Sequence, residues 1–109
     1  MYGALASGST QLGLHQDTID ELARPKTASH DEILGVETAF RLGFMKPFPI
    51  LPFGSSPHAY GHTGSGGSFA YADPETGVGY AYALNRAGYA LPTDPREVAL
   101  REAVENVAQ

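Results

Sequence analysis

Apolar and polar positions alternate most regularly between Phe69 and Leu84. Phe69 and Tyr71 fall on one side of a strand and Ala70 and Ala72 on the other, while Tyr80 and Tyr82 oppose Gly79, Ala81 and Ala83. This period of two predicts a hairpin of residues 68–72 and 78–84. The run Asp73-Pro74-Glu75-Thr76-Gly77 supplies its turn, with Pro and Gly where turn geometry favours them. One face of the hairpin is then aromatic and the other nearly bare, open to the close approach of a helix. Asp94-Pro95-Arg96-Glu97 reads as a helix start, with an N-cap, Pro at the first helical position and Glu at the third. Leu100, Ala103, Val104 and Val107 follow at i, i+3, i+4 and i+7, with Arg101, Glu102 and Glu105 on the wet side. The expected packing lays this helix across the small-residue face of a sheet of three or more strands, the hairpin at its centre.

The rest of the pattern is more broken. Residues 1–6 have helical composition, and Gly8 can end the helix as a C-terminal cap. The segment has no N-cap and is too short to nucleate a helix in water, which leads to the expectation that an N-terminal part is missing. Residues 15–23 predict a short helix, with Leu14, Ile19, Leu22 and Ala23 on one face, Asp17 in the first turn and Pro25 ending it. Residues 35–45 predict a strand, with Phe40, Leu42 and Phe44 alternating against Arg41 and Gly43. Residues 47–59 hold four prolines and predict a rigid, partly extended loop.

Composition narrows the class. At 109 residues with 42% apolar content the chain is one domain at most, with enough apolar residues for a core. A net charge of −5 with scattered basic residues excludes the electrostatic footprint of a nucleic-acid binder. No apolar run approaches the roughly 20 residues of a membrane span. The absence of cysteine rules out disulfides, thiolate metal sites and a Cys nucleophile, and is compatible with a cytoplasmic location.

Candidate chemistry lies in residues 61–73, GHTGSGGSFAYAD. As a phosphate loop, residues 61–68 put Gly67 where a lysine must reach the phosphates, and a strand follows where a helix is needed. The spacing fails as a dinucleotide fingerprint, and no G-x-S-x-G nucleophile elbow occurs. His58 and His62 stand four apart, but Pro57 and Gly61 deny the helix that a zinc pair at this spacing requires, so neither metal nor cofactor is expected.

The stretch does match the K-T-G strand motif of serine β-lactamases and penicillin-binding proteins, with His62-Thr63-Gly64 in that frame. The order H-T-G-x-G-G-S, aromatic strand, D-P-x-x-G, then Leu84-Asn85-Arg86 resembles the β-lactamase-related family, which includes class C β-lactamases, D-amino-acid peptidases and related esterases. The resemblance covers essentially the whole chain but only about the C-terminal third of a family member. It implies an α+β fold: an antiparallel β-sheet with flanking helices, part of a serine β-lactamase/transpeptidase-like fold. It further implies that His62 replaces the usual lysine as a hydrogen-bond donor beside substrate or nucleophile. Thr63 would orient substrate and Gly64 would leave room for an acyl group. The backbone N–H of Ser65 would point into the oxyanion hole, and Gly66 and Gly67 would relieve crowding against neighbouring backbone.

Two family motifs are absent. Neither Lys26 nor Lys46 has Ser or Thr three residues before it, and no tyrosine has Asn or Ser two residues later. Without the S-x-x-K nucleophile and the Y-x-N base no acyl-enzyme can form. Residues 1–109 are therefore expected to be a C-terminal portion of a β-lactamase-like hydrolase, inactive alone, its substrate in the full-length protein a small ester or amide. The alternative is an autonomous non-catalytic module of the same ancestry that binds a partner or itself. Either way, an exposed aromatic face of Phe69, Tyr71, Tyr80 and Tyr82, with Phe40, Leu42 and Phe44, predicts a homo-oligomer or a missing N-terminal partner.

Overall fold

The computed structural model describes residues 1–8, 10–90 and 93–109. In chain order they form α1 (Tyr2–Ala6), α2 (Gln16–Ala23), β1 (Ser29–His30), β2 (Glu37–Thr38), β3 (Phe40–Arg41), β4 (Phe44–Met45), β5 (Tyr60–Thr63), β6 (Phe69–Asp73), β7 (Val78–Tyr82) and α3 (Pro95–Ala108). Among the described residues β1 and β2 make a small two-stranded sheet, and β3-β4-β5-β6-β7 make a five-stranded sheet in that order, every ladder antiparallel. The α+β class and antiparallel sheet are as the sequence predicted.

The predicted hairpin is β6–β7, with Phe69 opposite Tyr82 and Tyr71 opposite Tyr80. Its turn is held by the Asp73 carboxylate, which accepts from the Glu75 and Ser55 amides at 3.1 and 2.8 Å. It stands at one edge of the sheet, and β5 is the central strand, contrary to expectation. The strand expected within residues 35–45 is three short strands, β2, β3 and β4. Leu42 and Gly43 both take left-handed backbone (φ 49° and 86°), the geometry of a two-residue hairpin turn, and fold Phe40 back onto Met45. Alternation was present on either side of the turn, but Leu42 is 64% exposed at its tip.

The two faces of the hairpin are covered the opposite way round from the expectation. The bare face takes α1. A Cβ on Gly79 would lie 2.3 Å from the Gly3 nitrogen and 2.4 Å from its Cα, so here helix backbone rests directly on strand backbone. Leu5, Ala6 and Leu22 close over Ala72 and Tyr60 in a core of their own. This packing stabilises a five-residue helix that propensity alone cannot. The aromatic face takes α3. Phe69, Tyr71 and Tyr80 are buried with Met45, Leu51, Phe53 and Ala59, and Val104 packs against them.

The stripe that α3 turns inward is largely charged. Glu97 and Arg101 are 3% and 4% exposed, while Leu100 and Val107, predicted to be inside, are 48% and 87% exposed. Arg101 explains the rotation. Its guanidinium lies 5.3 Å from the centre of the Phe69 ring, its Nε donates to Glu97 at 3.0 Å, and its Nη1 donates to the Pro52 carbonyl at 2.8 Å. Glu105 accepts from the Gly54 amide at 2.8 Å. Burial, with Glu97 alongside, pushes the Tyr80 hydroxyl up to about 12, and burial, only partly offset by Arg101, raises Glu97 itself. A helix standing over large rings needs long side chains to reach between them, which short apolar ones cannot do. Of the aromatic patch expected to be exposed, Phe69, Tyr71 and Tyr80 are buried and Leu42 is open to solvent. No helix among the described residues is long and apolar enough to cross a membrane.

Arg101→Ala leaves the Glu97 carboxylate buried without its partner and is expected to cost about 3–5 kcal/mol in urea unfolding. Val107→Asp on the outward side should change stability by less than about 0.5 kcal/mol. Equal costs would return the packing face to Leu100, Ala103 and Val107.

Candidate active site

The His-Thr-Gly motif sits where the central strand runs out. His62 and Thr63 are the last two residues of β5, and Gly64 leads into a 3-10 turn of Ser65–Gly67. On one side all four β5 residues pair with β6, from Tyr60↔Ala72 to Thr63↔Phe69. On the other, the β4–β5 ladder is the single pair Met45↔Gly61, because β4 begins at the Leu42–Gly43 turn. The strand end is thus supported on the β6 side and open on the other, where an extended acyl chain could lie along it.

His62 is exposed, its ring centre 5.8 Å from that of Phe40 on β3. Its Nδ1 meets the carbonyl of Thr63. A carbonyl can only accept, so Nδ1 carries the proton, and in the neutral ring Nε2 is an acceptor. The imidazole therefore offers a donor at Nε2 only when both ring nitrogens carry protons. The Thr63 hydroxyl points towards β4 and contacts the Met45 sulfur at 3.6 Å. Ser65 is exposed and opens the 3-10 turn, a position whose N–H has no partner within the turn. The turn is closed by the Gly64 amide donating to the Ser68 carbonyl at 2.7 Å, and Gly66 takes φ 80°.

The neighbouring titratable groups are otherwise engaged. Lys46 is fully buried, with Nζ donating to the carbonyls of Leu22, Ala23 and His58 at 3.0, 3.2 and 3.2 Å. Burial brings its pKa down to about 8. It ties the end of α2 to the proline-rich loop and has no donor left for the His62 side. His58 turns its Nδ1 to the Ala23 carbonyl at 3.1 Å. Behind the turn stands a group that sequence reading placed only as a helix cap. The buried Asp94 carboxylate accepts from the Arg96 amide and Nε at 2.9 Å each and from Nη2 at 2.7 Å. Those Arg96 bonds hold the Asp94 carboxyl down at about 2. The D-P-R signal announced the helix; nothing local announces that its cap meets a turn far away in sequence.

A sheet of this order with helices on both faces and His-Thr-Gly ending its central strand defines the serine β-lactamase/transpeptidase-like class. The solved structure of a family VIII carboxylesterase superposes with a TM-score of 0.82 at 37% identity, over 99% of this chain and 30% of that one. A penicillin-binding-protein homologue from Caulobacter crescentus gives 0.79, also at 37% identity, over 99% and 30%. LipL, an esterase/β-lactamase of Mycobacterium tuberculosis (strain ATCC 25618 / H37Rv), is 37% identical over 90 residues, which is 79% of this chain and 20% of LipL. The chain belongs to the β-lactamase family, whose profile it matches over residues 4–105. It spans under a third of the length of these relatives.

The Asp94 geometry has a consequence in acid. The carboxyl titrates at about 2 when folded, against about 3.9 when unfolded. The unfolded chain therefore binds the extra proton first as pH falls. Stability from this ion pair is complete above about pH 4 and is lost as pH drops towards 2. Following the Asp94 side-chain carboxyl resonance by NMR should give a midpoint near 2; a midpoint near 4 would mean that the Arg96 fork is absent in solution.

Proposed function

We propose that this chain supplies the oxyanion side of a β-lactamase-like serine hydrolase that cleaves esters or amides through an acyl-serine. The observation that carries this reading is the half-open end of β5. There an exposed His62 and the Thr63 hydroxyl end a strand that beyond Gly61 pairs with β6 alone, and the exposed Ser65 opens the turn that follows. In this reading the Ser65 N–H receives the negative charge of the tetrahedral intermediate, Gly64 leaves space for the acyl group, and Thr63 orients it. His62 sits at the lysine position of the family motif, donating when protonated. The nucleophile and its base come from outside these residues, because S-x-x-K and Y-x-N do not occur in them. The carboxylesterase among the relatives supports an ester substrate, while LipL is named as both esterase and β-lactamase.

The apolar surface left open supports the same reading. Leu100 and Val107 on the outer side of α3, and Ile33, Leu34 and Val36 at the tip between β1 and β2, are exposed. These are the faces on which we place the nucleophile-bearing part of the domain. Residues 1–109 by themselves should give no burst with an activated ester and no covalent adduct with a fluorophosphonate. Grafted in place of the matching segment of the family VIII carboxylesterase, they should restore turnover. In that graft Ser65→Pro deletes the N–H at a turn position proline tolerates, and we expect kcat to fall by about 10²–10³. Ser65→Ala keeps the N–H and should keep the rate. Equal rates for the two variants would remove Ser65 from the oxyanion hole.

A further inference from the structure

We propose that Asp94 and Arg96 are positioning residues for the site: their ion pair clamps the backbone of the turn that carries the Ser65 N–H. This rests on the reading of Ser65 just given.

A helix cap alone needs one carboxylate oxygen accepting from the first turn, here Asp94 Oδ1 from the Arg96 amide. The structure commits much more. Around the same carboxylate converge two glycines from separate segments. A Cβ on Gly67 would lie 2.6 Å from the Asp94 Cβ, and one on Gly88 would lie 2.2 Å from Oδ2. The Gly88 amide in turn donates to the Gly66 carbonyl at 2.7 Å. A Cβ on Gly66 would stand 2.9 Å from that of Ala87, so residues 87–88 press along the turn. Arg96 closes the arrangement, because its Nη2 reaches both Asp94 Oδ2 at 2.7 Å and the Arg86 carbonyl at 2.9 Å. The turn is thereby held from below by Asp94 and from the side by residues 86–88, and both holds run through Arg96.

The pair also answers an electrostatic problem. A bare carboxylate packed under the turn would oppose the negative charge that the Ser65 N–H is there to receive. The Arg96 guanidinium, bound through two of its nitrogens, neutralises that carboxylate and keeps it in place.

Backbone amide exchange on the chain itself tests the clamp. Arg96→Ala keeps the main-chain cap bond and removes both side-chain holds. The amides of Gly88 and Gly64 should then exchange about tenfold faster, while the Val98 amide, bonded to the Asp94 carbonyl at 3.0 Å, stays within about twofold of the parent. Gly88→Ala, which pushes on Oδ2 but keeps Asp94 and Arg96 themselves, should give the same pattern and serves if Arg96→Ala does not fold. Unchanged exchange at Gly88 and Gly64, or an equal rise at Val98, would overturn the clamp and leave Asp94 a helix cap. Either result is independent of the Ser65→Pro outcome, which tests the oxyanion reading with the clamp intact.

Discussion

Everything in this molecule hangs on the inequality of the two faces of β6–β7. The pleat sends Phe69, Tyr71 and Tyr80 to one side and leaves Ala72 and Gly79 on the other. Where there is no side chain, backbone meets backbone, and a short helix with Gly3 at the contact is enough to fill the space. Where there are large rings, the covering helix stands off, and the gap is bridged by long side chains. That is why α3 turns Glu97, Arg101 and Glu105 inward and leaves Leu100 and Val107 in water. Arg101 suits the position because its stem covers a ring while its planar head satisfies a carboxylate and a carbonyl together.

The site inherits its geometry from this arrangement. With β6 held firmly from both faces, its partner β5 is fixed along its whole length. The early turn of the β3–β4 hairpin withdraws the other neighbour just before the strand ends. The same covering of the aromatic face brings the start of α3 beneath the turn after β5. Helix packing and the shape of the candidate oxyanion side are thus one structural fact, joined at Asp94. The buried Lys46 does comparable work on the far side, donating to the last carbonyls of α2.

What the sequence determined was whatever is decided within a few residues. Period-two alternation and a Pro/Gly turn located the β6–β7 hairpin, Asp94-Pro95 located the start of α3, and His62-Thr63-Gly64 located the candidate site. It also shows directly that neither S-x-x-K nor Y-x-N occurs in these 109 residues. Tertiary structure decided the rest. The turn at Leu42–Gly43 needed a partner strand to make a fold-back preferable to continuing, and alternation reads the same on either side of it. The inward face of α3 depended on what lay beneath it. An apolar stripe predicts burial only when the opposing surface lets short side chains reach it, and here rings from distant strands did not. The meeting of Gly67, Gly88 and Asp94 leaves no local trace, because glycine reports that something comes close but not what.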